Sequence, residues 1–276
     1  MEILQYEFMQ RALLAGFLVG LICPIVGLFI ALRRMSMISD ALSHVCLSGV
    51  AAGLMTGIHP ILSASLFAVG GGLLLEMLRK LYRGYSEISI AITLSTGVAL
   101  GAILLDLGKG YSANFMSYLF GSIVAISVDD LKIVSLLGIA ILLLVHLLKK
   151  ELFAISFDED HARVSGIPVD AINTCFTIMT AITIALSIRV VGILLVSSLM
   201  ILPVATAMRL ASSFRGAMLL SILFGETAIF IGVFASFYMN LAPGGAIVMT
   251  SVILLVSSLV YQQLNRKIAI YKGVVS

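Results

Sequence analysis

The sequence predicts an all-α fold, a polytopic transmembrane helical bundle with about eight or nine spans. Three observations carry that prediction. Of the 276 residues, 61% are hydrophobic and only 11% charged, with a mean hydropathy of +1.15, and a domain of this length surrounded by water cannot hide so much apolar surface. The bilayer must be the solvent. The apolar residues fall in long runs near the roughly 20 that a helix needs to cross the hydrocarbon core. The cations lie in short clusters between those runs rather than in one basic patch, which together with a formal net charge of +3 argues against nucleic-acid binding.

Taken in order, the apolar runs fall at about 11–32, 40–57, 60–79, 86–106, 114–148, 168–188, 190–208, 216–239 and 244–262. The fifth is too long for one simple span and contains Asp129-Asp130. It is read either as two segments, one short or re-entrant, or as one span with an interfacial helix. The spans leave little chain outside the membrane and no room for a nucleotide-binding domain. The whole chain, 1–276, is accordingly read as a single transmembrane domain.

Short loops rich in Lys and Arg stay in the cytoplasm. The clusters are Arg33-Arg34, Arg79-Lys80 with Arg83, Lys149-Lys150, Arg209 with Arg215, and Arg266-Lys267. Setting them all inside puts the N-terminus outside and the C-terminus inside if 114–148 makes one net crossing, and leaves Lys109 and Arg189 as lone exceptions outside. Met1 to Arg11 carries Glu2 and Glu7 and lacks a basic n-region followed by a cleavage site. The first hydrophobic helix is therefore expected to serve as the insertion signal. Cys23, Cys46 and Cys175 lie far apart inside apolar runs, without CxxC spacing, and read as core residues.

Small residues recur at four-residue spacing, in Gly16-x-x-x-Gly20 and Gly49-x-x-x-Gly53-x-x-x-Gly57. Such spacing lets helix backbones approach closely where lipid offers no hydrophobic drive to pack. Pro24, Pro203 and Pro243 are expected to kink helices or open backbone carbonyls to a cavity, with Ser197, Ser198 and Thr206 near Pro203 able to satisfy freed groups.

Asp40 and His44, in Asp-Ala-Leu-Ser-His, form an i, i+4 pair that sets a carboxylate and an imidazole on one face of the second helix. Zinc and manganese accept both ligand types, whereas magnesium and calcium prefer oxygen alone. The plainer reading is that Asp40 caps the helix and His44 hydrogen-bonds a carbonyl. Depth favours the first reading, because an ionisable residue inside a span usually faces a cavity or partner and marks a transport path. The glycine stripe, from Gly49 on, starts about 140° around the helix from His44, leaving the polar face free.

Glu226, in Phe-Gly-Glu-Thr-Ala, sits near the middle of its run. It is read as a transient ligand or proton acceptor facing the path, or as a protonated partner in an interhelical hydrogen bond. Glu87 and Asp106 are read as interfacial, and Glu76 as an ion-pair partner of Arg79 and Lys80.

The longest polar stretch runs from Phe157 through Asp158-Glu159-Asp160-His161-Ala162-Arg163 to Gly166-Ile167-Pro168. An acidic start, a short helical body and a glycine terminator describe a small helix lying outside the membrane, at about 157–167 on the side marked cytoplasmic by Lys149-Lys150. Such a helix suits docking to another protein, the alternative being a solvated loop. Its acidic cluster makes a poor metal site, since consecutive residues on one turn point apart.

Four segments together resemble the permease subunits of bacterial zinc and manganese ABC importers: Arg-Arg-Met-Ser-Met-Ile-Ser-Asp-Ala-Leu-Ser-His at 33–44, Phe-Asp-Glu-Asp-His-Ala-Arg-Val-Ser-Gly at 157–166, Val-Gly-Ile-Leu-Leu-Val-Ser-Ser-Leu-Met-Ile-Leu-Pro-Val-Ala-Thr-Ala at 191–207, and Ala-Pro-Gly-Gly-Ala-Ile-Val at 242–248. The resemblance implies a homodimeric permease in the bacterial plasma membrane. Two ATP-binding cassette subunits would work below it, and an extracellular or periplasmic metal-binding protein would dock above. It implies that 157–167 is the coupling helix, with Asp158, Glu159, Asp160, Ala162, Arg163 and Gly166 engaged with the ATPase. It assigns Asp40 and His44 to a permeation site for transported Zn2+ or Mn2+, with no permanently bound cofactor; the mid-run position of Glu226 adds it as a candidate further ligand. Ser-Asp-Ala-Leu-Ser-His and Ser86-Glu87-Ile88-Ser89 lean toward zinc-type members, with manganese or iron as the alternative. The remaining histidines, His59, His146 and His161, are scattered and form no second cluster.

A conducting site must release its ion as well as bind it, so two protein ligands per chain with retained water suit the task. The chain has no GxxxxGK[ST] phosphate loop, so ATP would be bound and hydrolysed in partner subunits. The rival readings are an ion-coupled secondary transporter, with Glu226 as proton carrier, and an intramembrane metalloenzyme, for which the sequence offers no HExxH.

Overall fold

The computed structural model describes residues 5–82, 84–108 and 112–271, with 112–114 and 265–271 as backbone only. Arg83 and Lys109 lie outside the described residues, as do the side chains of Arg266 and Lys267.

Eleven helices follow one another among these residues: α1 (Glu7–Leu32), α2 (Met37–Thr56), α3 (Pro60–Leu81), α4 (Ser86–Leu107), α5 (Ser112–Phe120), α6 (Val128–Phe157), α7 (Glu159–Val164), α8 (Val169–Val191), α9 (Val196–Leu210), α10 (Phe214–Met239) and α11 (Pro243–Tyr271). Eight of them, α1 to α4, α6, α8, α10 and α11, are long and apolar enough to cross a membrane. The ninth apolar pass is α9, whose 15 residues rise only about 22 Å. An irregular stretch after Gly192 leads into it.

The 114–148 run resolves into the short α5 and the long α6. Between them Ser127 opens α6 with a capping box, its side chain accepting from Asp130 N while the Asp130 carboxylate accepts from Ser127 N. What the sequence shows as a polar break is thus a helix start. α6 then continues two turns past Lys149-Lys150, because Leu152 and Ile155 stay buried while the two lysines face outward. Pro243 begins α11 instead of kinking it, whereas Pro24 and Pro203 stand inside α1 and α9.

α1 and α8 form the middle of the bundle, with 67% and 72% of their apolar windows buried, against 28% for α4 and 22% for α6 on the outside. α1 packs against α6, α8, α9 and α10, and α2 against α3, α4, α8 and α9. The glycine spacings place these contacts: Gly49 and Gly53 of α2 lie on Ser63 and its neighbours in α3, while Gly16 and Gly20 of α1 face Ile229 and Glu226 of α10. Gly57 packs on nothing and instead ends α2 with φ +74°.

At one end, α5 is laced to the α8–α9 turn by backbone hydrogen bonds, Ser122 N to Arg189 O at 3.0 Å and Ile193 N to Tyr118 O at 2.9 Å. Gly192 there has φ +89°, and a Cβ on it would sit 2.4 Å from Leu119 O, so both the conformation and the space demand glycine. At the other end lie the α1–α2 corner, α7 and the α9–α10 turn, where Arg33, Arg79, Lys80, Arg209 and Arg215 gather, as the charge rule expects.

Candidate functional site

The second helix opens with Ser36 as its N-cap residue, so Asp40 lies within the first turn and does not cap it. Asp40, His44 and Leu47, at i, i+4 and i+7, form a half-buried stripe, while Ser39, Ser43, Val45, Cys46 and Ser48 beside them are covered. Behind the stripe α4 approaches so closely that a Cβ on Gly97 would lie 2.8 Å from Val45 N, and Ser48 Oγ donates to Gly97 O at 2.7 Å. Neither the Asp40 nor the His44 side chain hydrogen-bonds within the described chain, which leaves both lone-pair sets free for an incoming cation. Among the described residues no three His, Cys, Asp or Glu side chains come together to hold a metal. One chain therefore offers a two-ligand ledge and not a closed site.

Glu226 does not join them. Its helix packs against α1, α9 and α11, and its carboxylate lies over Gly20, with both oxygens buried and without a hydrogen-bond partner among the described residues. In the single chain Glu226 thus faces Gly20 of α1 rather than the α2 stripe.

The polar stretch after α6 forms the expected short helix. Asp158 caps α7 by accepting from His161 N at 2.9 Å. At its far end Gly166, φ +85°, closes a Schellman turn in which Gly166 N donates to Arg163 O and Ile167 N to Ala162 O. Ala162 is the buried foot of α7, while Asp160, His161, Arg163 and Val164 face outward. Val164 is 87% exposed and Phe157, one residue before the cap, 74%. This apolar pair was not legible as a surface in sequence, since nothing there shows which way each residue points. Arg163 pairs with Asp170 at 3.1 Å and Glu159 at 3.5 Å. The Asp170 hydrogen bond and charge hold its guanidinium above the ordinary arginine value.

Between α7, α3 and α8 lies a polar cavity of about 470 Å³ lined by Glu76, Arg79, Lys80, Glu159, Arg163 and Asn173. Glu76 pairs with Arg79 at 3.0 Å, as its spacing suggested. Beside the cavity Arg33 is half-buried. Burial, with Arg79 nearby, pulls it down to about 10 against the opposing pull of Glu159 and Glu76, so it stays a cation at neutral pH.

The opposite end holds a cluster that sequence reasoning missed. Asp130, fully buried, lies 3.4 Å from Arg189 Nε and 3.4 Å from His59 Nε2, and the Arg189 guanidinium stacks 4.3 Å over the Tyr118 ring. Arg189, which the charge rule leaves as an outlier, is thus internally neutralised.

The profile of the ABC 3 transport family matches residues 5–262. The chain belongs to the ABC 3 transport family. As a member it is similar to a chain named "Probable metal transport system membrane protein" from Treponema pallidum (strain Nichols), with 38% identity over 263 residues, 95% of this chain and 98% of the relative. A "Manganese import system permease protein ScaB" from Streptococcus parasanguinis is 32% identical over 95% of this chain and 94% of its own length. Among solved structures, a chain of "PsaBC from Streptococcus pneumoniae in complex with Fab" superposes with a TM-score of 0.83 at 34% identity, covering 93% of each chain. The ABC 3 fold, the multi-pass membrane character and the permease resemblance read from the motifs stand together.

Proposed function

We propose that this ABC 3 chain is the membrane permease of an importer that moves a divalent transition metal into the cytoplasm. The Asp40/His44 ledge is the level at which the ion pauses. The observation that carries the reading is that stripe, an open carboxylate and imidazole one turn apart on a packed helix, flanked by the buried Ser39, Ser43, Val45, Cys46 and Ser48. Two such chains facing one another would present four ligands around one central path, a weak site that retains water and lets the ion leave. The manganese named in relatives favours manganese over the zinc that the sequence motifs suggested.

ATP is hydrolysed in partner cassette subunits that seat α7, and a metal-loaded binding protein delivers the ion from the other side. The exposed Phe157 and Val164 beside the Asp160/Arg163 face give α7 an apolar patch with a charged rim, the composition of a docking surface. The test is uptake of radioactive manganese and zinc into proteoliposomes holding this chain, its ATPase and its binding protein. ATP-dependent uptake of one metal, resisting competition by the other, supports the reading and names the ion. Uptake without any ATPase would sink it in favour of an ion-coupled secondary transporter.

A further inference from the structure

Arg33 stands where four elements meet. Its backbone is the C-cap of α1, where the helix dipole favours a cation. Its Nη1 donates to Asn173 Oδ1 of α8 at 2.9 Å, and its Nε to Ser156 Oγ of α6 at 3.2 Å. The guanidinium lies 4.5 Å from the Phe176 ring, which is itself wedged edge-on against Phe29 of α1. Asn173, 3% exposed, passes the contact on, its Nδ2 donating to Glu159 Oε1 in the first turn of α7 at 3.4 Å.

On the other side of Arg33 the chain has no slack. Arg34 adopts φ +56°, and Arg34 N and Met35 N donate to Ala31 O and Ile30 O, a closed Schellman turn made without glycine. Ile38 N then bonds Met35 O, and Ser39 Oγ bonds Ser36 O. Residues 34–36 are the entire link to α2, and Asp40 lies in that helix's first turn. A side chain held by α7 through one amide is therefore joined, through a hydrogen-bonded corner three residues long, to the turn that bears Asp40.

We propose that Arg33 is a positioning residue for transport: through Asn173 and Glu159 it carries movement of α7 to the start of α2 and so sets the attitude of Asp40 and His44. The proposal rests on the reading that α7 is driven by a partner and that Asp40 and His44 line the path. A planar guanidinium suits the role because its fork holds Asn173 and Ser156 in fixed directions at once, and transmission requires a contiguous set of groups that both ends bias.

The experiment uses the full assembly in proteoliposomes and compares Arg33→Gln, Asn173→Ala and the double variant with the unaltered chain. Assembly yield, ATP hydrolysis stimulated by the binding protein, and metal transported per ATP are read in parallel. The expected result is normal assembly and hydrolysis within about twofold, with metal per ATP lowered roughly tenfold. The double variant should be no worse than the singles, because both cut one connection. Metal per ATP unchanged in both singles, while the unaltered chain transports with ATP, overturns the relay alone. Uptake indifferent to ATP in the unaltered chain removes the reading beneath it and the relay together. Failure of both singles to assemble assigns Arg33 to structure only and overturns it equally.

Discussion

The Glu226 carboxylate of α10 rests directly on Gly20 of α1: a Cβ at position 20 would meet its Cδ and Oε2 at 2.9 Å. Gly20 is thus the floor on which an intramembrane carboxylate lies. Gly20→Ala is expected to destabilise the bundle by about 1–3 kcal/mol through overpacking, seen as a lower unfolding temperature in detergent. Glu226→Ala should be worth less in the Gly20→Ala background than in the unaltered chain, and equal effects in both would refute the contact. Glu226→Gln is expected to leave metal uptake near normal, since its carboxylate lies over Gly20 of α1 rather than beside Asp40 in the chain.

The ledge on α2 makes a sharper demand. Asp40→Asn and His44→Ala should each reduce metal uptake at least tenfold while assembly and ATP hydrolysis persist, because both side chains are half-buried and neither holds the fold by a hydrogen bond. Normal uptake in either variant would end the ligand assignment. Ser43, fully covered and bonded to Ser39 O at 2.7 Å, is the control whose Ala variant should not change metal preference.

Within α7 the acidic residues separate by role. Asp158→Ala removes the cap and should weaken copurification with the ATPase by loosening the helix, a cost of about 1 kcal/mol. Gly166→Ala should do the same through backbone conformation alone, because its φ of +85° disfavours any side chain although the space around it is open. Asp160→Lys and Val164→Asp leave the helix intact and change only its outward face. If circular dichroism of the assembled permease is unchanged and these two still bind the ATPase normally, α7 is not the docking element.

At the far end, Asp130→Ala strands Arg189, only 15% exposed, in an uncompensated buried position. The expected loss is about 3–5 kcal/mol, measurable as a lower unfolding temperature. The paired change Asp130→Ala with Arg189→Met should recover much of it. Failure to recover would mean that the capping box, which Asp130 also completes, is the larger contribution.

Much of this was legible in the amino-acid string because a bilayer leaves few choices. Runs of apolar residues, glycines four apart and an Asp/His pair inside a span each follow from local spacing, and α1 to α4 sit close to where the runs set them. α7 was legible from its acidic start and Gly166. The rest depends on partners distant in sequence. Arg33 and Asn173 meet across 140 positions, so a cation noted only for orientation proves to be a contact. Asp130 looked like an interruption and Arg189 like an exception, yet each is the explanation of the other. The two extra turns of α6 beyond Lys149-Lys150 exist because neighbouring helices cover Leu152 and Ile155, and residue order alone does not reveal such cover. Which faces of α4 and α6 stay bare is likewise a property of the packed bundle.

Asp130 touches the first residues of α3 through His59, caps α6, and holds the last turn of α8 through Arg189. Parting α6 from α8 would leave Asp130 or Arg189 without its countercharge, so these two ends are held as one block, with His59 at the start of α3 against it. Under the proposed coupling through α7, such a block would act as a fulcrum about which the driven end pivots.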